Sequence, residues 1–171
     1  MYARFRPYHL IGAIGGFLTV LTAIISLAVS TSYYISAEWV IIVNMLLIGS
    51  NGLIATYFFG AFSASRDSLI KVGSLIAGIG LGFNVLISIL QMAGVYVFVL
   101  ALLGALVMMA GVVIACIKFI MLFQRDAFVV VFCVFIFLGL LLSLFWTWAS
   151  LISGAGLGGL LIYFYVHNII Y

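Results

Sequence analysis

The chain of 171 residues is 68% hydrophobic and only 5% charged, with six Lys or Arg against three Asp or Glu and a mean hydropathy of +1.51. A water-soluble domain carries about 25% charged residues, so the composition excludes one and indicates an integral membrane protein. Barrel strands would appear as short segments of alternating hydropathy, which are absent; the long apolar runs suit helices, each needing about 20 residues to cross the hydrocarbon.

Charges and run lengths divide the chain. A first span over 8–30 follows Arg4 and Arg6 and ends in the polar turn Ser30, Thr31, Ser32, Tyr33, Tyr34. A second, 39–62, stops at the loop holding Arg66 and Asp67. Between Lys71 and Lys118 lie 46 uncharged residues, too many for one crossing; the polar break Gln91, Met92, Ala93, Gly94 divides them into spans over 72–91 and 95–117. A second Arg-Asp pair, Arg125 and Asp126, precedes 45 more uncharged residues, which divide near Trp146 to Ser153 into 127–148 and 151–168. The expectation is a single all-α transmembrane domain over 1–171, a six-helix bundle built as three consecutive hairpins. The start MYARFRPYHLIGAIGGF has a basic lead and an apolar run but no small-residue cleavage site before the polar turn, and reads as a retained first helix.

In this layout Arg4, Arg6, Arg66, Lys71, Lys118 and Arg125 share one side, and Glu38 is the full charge on the other. The positive-inside rule makes the basic side cytoplasmic. Both termini are then expected inside, with the plasma membrane as the location. The Arg-Asp pairs read as topology determinants in cytoplasmic loops. Arg6, Arg66 and Arg125 recur at intervals of 60 and 59, which raises internal duplication, although two crossings plus short loops give about this period in any case.

Near the middle of the membrane there is no Asp, Glu, Lys, Arg or His. Intramembrane ionisable groups mark proton relays and ion-coupled pumps, so a pump is not expected. No Ser, His and carboxylate set shares a leaflet and no HExxH motif occurs, so the chain is not read as an enzyme and no cofactor is assigned. His9 and His167 fall at the basic interface of the first and last helices. A haem pair lacks second partners there, and contact with lipid headgroups is the expectation. Cys116 and Cys133 flank the second Arg-Asp loop and read as packing residues.

The helices carry small and weakly polar residues at helical spacing: Gly12, Gly16, Thr19 and Ala23 on the first; Ala77, Gly80, Asn84 and Ser88 on the third; Gly104, Met108, Gly111 and Ala115 on the fourth; Ser150, Gly154 and Gly158 on the sixth. Lipid is as apolar as Leu, so helices associate in a bilayer where small residues let backbones approach. Thr19, Asn51 and Asn84 fall at mid-depth, with Asn44 two turns from Asn51, and together they form a candidate midplane polar cluster. An amide there must face another helix or a polar cavity. The fifth helix lacks a continuous small-residue stripe and spreads Phe rings over several faces. It is expected at the periphery, with Phe128, Phe132 and Phe135 as a candidate partner-facing ridge.

Two functions fit. The first is a non-catalytic membrane subunit of a larger hetero-oligomeric complex, contacting lipids and other membrane subunits and no nucleic acid. The second is a small solute-handling protein, a transporter component or a channel, with a midplane polar pocket. In size and helix count alone the chain resembles the substrate-binding components of energy-coupling-factor vitamin transporters, a resemblance that covers no motif and implies only that such a chain can bind a solute with few charges inside a larger complex.

Overall fold

The two Arg-Asp pairs are helix starts. Asp67 Oδ1 accepts hydrogen bonds from the backbone N–H groups of Leu69 (2.9 Å) and Ile70 (3.2 Å), and Asp126 Oδ1 accepts from those of Phe128 (3.1 Å) and Val129 (3.5 Å). The first turn of a helix leaves its N–H groups without intrahelical partners, and a carboxylate placed ahead of it supplies them. In the computed structural model, which describes residues 6–31, 36–95, 97–143, 145–146, 149–167 and 169, the chain forms six helices. They are α1 (Arg6–Ser30), α2 (Ala37–Ala64), α3 (Ser68–Met92), α4 (Phe98–Leu122), α5 (Ala127–Ser143) and α6 (Ser150–Val166). No strand occurs among the described residues.

Four of the six, α1 to α4, are long and apolar enough to cross a membrane. α5 and α6 are apolar but have 17 residues each, about 25 Å at 1.5 Å per residue against a hydrocarbon thickness of about 30 Å. The helix bounds differ from the sequence expectation where charge marked the edges. α3 begins at Ser68 rather than 72 and α4 runs to Leu122 rather than 117, so Lys71 and Lys118 lie within the helices, where a long apolar stem lets a lysine extend an apolar surface. α5 ends at Ser143 rather than 148, where the N–H groups of Phe145 and Trp146 turn back onto Leu142 O (3.0 and 2.9 Å). α3 closes as expected at the polar break: Gly94 has φ of 78°, and Val95 N–H bonds Leu90 O at 2.9 Å. The left-handed conformation favours glycine.

Each helix packs against its neighbours in the chain, and α1 against α6 closes the ring α1-α2-α3-α4-α5-α6. No other pair of helices meets backbone to backbone among the described residues, although inside the ring Phe119 of α4 and Phe164 of α6 touch, their ring centroids 5.3 Å apart. The α4/α5 contact is the sparsest of the six.

The α3/α4 and α5/α6 pairs are built alike. A Cβ added to Gly80 would lie 2.3 Å from Met108 N, and one on Gly139 would lie 2.2 Å from Ser153 N. One turn toward the basic residues, a Cβ added to Gly111 would lie 2.1 Å from Ala77 N and one on Gly156 3.0 Å from Ile136 N. The glycines admit backbone against backbone, which is how helices gain contact in lipid. The same offsets, 59 residues along α3 to α5 and 45 along α4 to α6, relate buried Ile70 to Val129, Ala115 to Leu160 and Phe119 to Phe164. They also relate two clamps. Lys118 Nζ lies 2.9 Å from Asp67 Oδ2, and Tyr163 donates its hydroxyl to Asp126 Oδ2 at 2.5 Å. At this same end Arg6 lies over the Tyr165 ring, 4.6 Å from its centroid, and His9 Nε2 lies 3.1 Å from Ile169 O.

Candidate functional site

Because no helix crosses the ring, its centre is space: a partly open cavity of about 440 Å³, lined by all six helices. It occupies the half of the bundle away from the basic end. On the basic side the ring is filled by Tyr57, Phe119, Phe164, Leu161 and Ile70, all at most 3% exposed.

The wall is uncharged and two-sided. α1 contributes Thr19, Thr22 and Ser26, and α6 contributes Ser150 and Ser153. Across the ring from α1, α4 contributes Met108 and Val112, flanked by Leu81 and Ile87 of α3 and by Ile136 and Leu140 of α5. Asn51, Asn84, Ser88 and Ser143 stand between the two sides.

Most hydroxyl protons are committed to the helices that carry them. Thr19 and Thr22 donate to Gly15 O (3.1 Å) and Leu18 O (2.7 Å), Ser88 to Asn84 O (3.0 Å), Ser143 to Leu140 O (2.7 Å) and Ser153 to Ser150 O (3.1 Å). A hydroxyl has one proton and two lone pairs, so what remains at these positions is acceptor capacity. Asn84 points its Nδ2 at Met108 Sδ (3.7 Å), and the missing side chain of Gly104 leaves room for its Oδ1. Asn51 makes no hydrogen bond to a described residue. The committed hydroxyls therefore act as acceptors, the Asn51 amide can both donate and accept, and the site offers no charge to pair with an ion.

Of the four residues of the candidate polar cluster, Thr19, Asn51 and Asn84, expected at mid-depth, lie together on this wall, and Asn44, two turns away, does not. Asn44 is buried, and its Nδ2 donates to Val40 O at 2.9 Å. On α2 the lining starts at Leu47, about one turn short of Asn44. Ser143 was missed. Its signal is a recurrence: Gly15, Gly80 and Gly139 are each followed four residues later by a polar lining residue, Thr19, Asn84 and Ser143. The residues these glycines meet, Ile54, Met108 and Ser153, also line the cavity, as do Phe58, Val112 and Leu157 one turn further on. The equivalent position on α1 is thus marked by Gly15; Arg66 and Arg125 share the 59-residue offset of Gly80 and Gly139, whereas Arg6 lies 60 residues before Arg66 and Gly15 lies 65 before Gly80.

The remaining candidates separate. His9, expected at the headgroups, is 1% exposed, with its ring 5.8 Å from that of Tyr57 and 5.7 Å from that of Phe164. The α1/α2 seam draws it inward, because Gly12 and Gly60 bring Tyr57 and Tyr8 close. His167 is exposed and stacks at 4.2 Å on Tyr163. Cys116 and Cys133 are buried free thiols beside one another between α4 and α5. On α5, Phe128 (65% exposed) and Phe135 (46%) face outward, whereas Phe132 covers Gly159 of α6, so the expected ridge loses its middle member. α5 also has a close-approach point that a search for a continuous small-residue stripe overlooks, the single Gly139.

Compared with protein-family models, curated proteins and solved structures, the chain gives no match to any of them.

Proposed function

We propose that this membrane protein binds a small uncharged molecule at the centre of its helix ring, as a solute-handling component. The observation that carries this reading is the cavity: about 440 Å³, lined by all six helices, with hydroxyl groups of α1 and α6 on one side, hydrocarbon of α3, α4 and α5 on the other, and the Asn51 and Asn84 amides between. Ligand pockets run from about 300 to 1,000 Å³ and combine an apolar lining with a few placed polar groups. In this reading the fold is three consecutive hairpins around the cavity, all six helices cross the plasma membrane, and both termini lie in the cytoplasm with the basic residues. No catalytic role is proposed. The first of the two functions that fit the sequence, a complex subunit, would dock through the outward rings of α5 and rests on Phe128 and Phe135, a surface that lipid also covers; the cavity carries more.

Native mass spectrometry in a mild detergent tests the proposal. A neutral small-molecule adduct that disappears in the Asn84→Leu variant supports it. A particle without adduct, holding a stoichiometric protein partner, favours the subunit reading instead. Single cysteines at Gln124 and Ala93, both exposed and at opposite ends of the bundle, test the orientation; labelling of position 124 from outside the cell would invert it.

A further inference from the structure

The six seams of the ring are unequal. Five are closed by a glycine against the facing helix: Gly15 on Ile54 for α1/α2, Gly78 on Phe59 for α2/α3, Gly80 on Met108 for α3/α4, Gly139 on Ser153 for α5/α6, and Gly16 on Gly158 for α6/α1. Among the described residues no glycine contact joins α4 to α5, the side-chain link between them is the one between the Cys116 and Cys133 thiols, and this seam has the sparsest packing of all. Only the loop 123–126 separates the two helices, which holds them side by side at the basic end, and the few contacts they make in all leave them room to part toward the other. Cys116 and Cys133 mark the closed part of the seam. At the depth of the cavity these two helices supply its hydrocarbon lining, Met108 and Val112 of α4 with Ile136 and Leu140 of α5.

We infer that the cavity takes its ligand sideways from the membrane, between α4 and α5, and that the ligand is an uncharged amphiphile: a hydrocarbon tail with a hydroxyl or similar proton-donating head. This rests on the proposed reading of the cavity as a binding site. The head crosses to the acceptor-rich side at α1 and α6, where Thr19, Thr22 and Ser153 have already given their protons to backbone carbonyls. The tail lies along α4 and α5 and leads back to the opening, so both ends keep the surroundings they have in a bilayer. A water-borne polyol would leave the apolar side unfilled, and an ion would meet no countercharge.

The test uses the full chain in phosphatidylcholine nanodiscs with 1-decanol carrying a diazirine near its methyl end. Light should attach the probe to Met108, Val112, Ile136 or Leu140, with occupancy falling roughly fivefold in Thr22→Val, the equivalent of about one hydrogen bond. Met109 stands two turns from Cys116 on the same stripe of α4, and Met109→Ala should widen the seam and speed labelling severalfold. Phe59→Ala, at the α2/α3 seam, should leave the rate unchanged. Attachment confined to outward residues such as Phe137 and Leu138, or a rate that responds to Phe59→Ala and not to Met109→Ala, would overturn the inference. The wild-type attachment pattern decides alone where a variant folds poorly. Retention of erythritol with no decanol in the cavity overturns membrane access while leaving the cavity a binding site; exclusion of both probes overturns both readings.

Discussion

Asp67 holds two helices at once: one carboxylate oxygen caps α3 while the other lies 2.9 Å from Lys118 Nζ near the end of α4. Asp126 repeats the arrangement, capping α5 and accepting from Tyr163 of α6. The charges of the Arg-Asp loops thus do more than mark a membrane side; each fixes the basic end of one antiparallel pair.

Lys118, hydrogen-bonded to Asp67, is the main reason that its carboxyl titrates below the usual range, with the N–H groups of Ile70 and Leu69 adding to the effect. A depressed folded-state pKa contributes stability that is present above the unfolded value, about 3.9, and lost as pH falls through the folded one. Thermal stability in detergent should be level above about pH 5 and decline below pH 4, and Asp67→Asn should flatten that decline. Asp67→Ala should cost about 1 kcal/mol through the cap, with the ion-pair share shrinking in high salt because both side chains reach solvent.

The glycine contacts predict a sharp contrast in thermal unfolding. Gly80→Ala and Gly139→Ala each drive a Cβ into a facing backbone nitrogen, at 2.3 and 2.2 Å, and backbone cannot rotate away. Each should lose about 1–3 kcal/mol, as overpacked sites do. Gly82→Ala meets nothing within 4 Å and should be neutral or raise stability by up to about 1 kcal/mol through helix propensity.

Asn51 separates binding from folding. With no protein partner for its amide, Asn51→Leu should shift unfolding by less than about 0.5 kcal/mol, below the roughly 0.6–2 kcal/mol of an interhelical hydrogen bond. Binding of a proton-donating probe should weaken measurably in the same variant, by calorimetry or native mass spectrometry. A large stability loss with unchanged binding would assign Asn51 to helix association.

The outward rings of α5 give a test of partner docking. Phe128→Ala with Phe135→Ala should leave the isolated protein's unfolding within about 0.5 kcal/mol of the parent, as exposed substitutions do, and should release any co-purifying partner bound to that face. Phe132→Ala should lower stability on its own, because that ring packs on Gly159 of α6.

Much of this protein follows from composition and short-range pattern. With one residue in twenty charged, the chain must satisfy its backbone internally in lipid, and helices do so within a single segment. The small-residue stripes found their true faces, since Gly80 with Met108, Gly111 with Ala77, and Gly16 with Gly158 are close-approach points. A lone amide at mid-depth must likewise turn inward, and Asn51 and Asn84 do. Tertiary structure decided the rest, because a face on a helix specifies direction but neither depth nor partner. It left Asn44 off the cavity wall, drew His9 in among Tyr57 and Phe164, and placed Phe132 over Gly159. It also closed α1 onto α6, the pairing most distant in the chain, and that closure makes the central cavity. Contact between sequence neighbours follows from short loops, whereas ring closure depends on the sum of six packing geometries, which no local pattern contains.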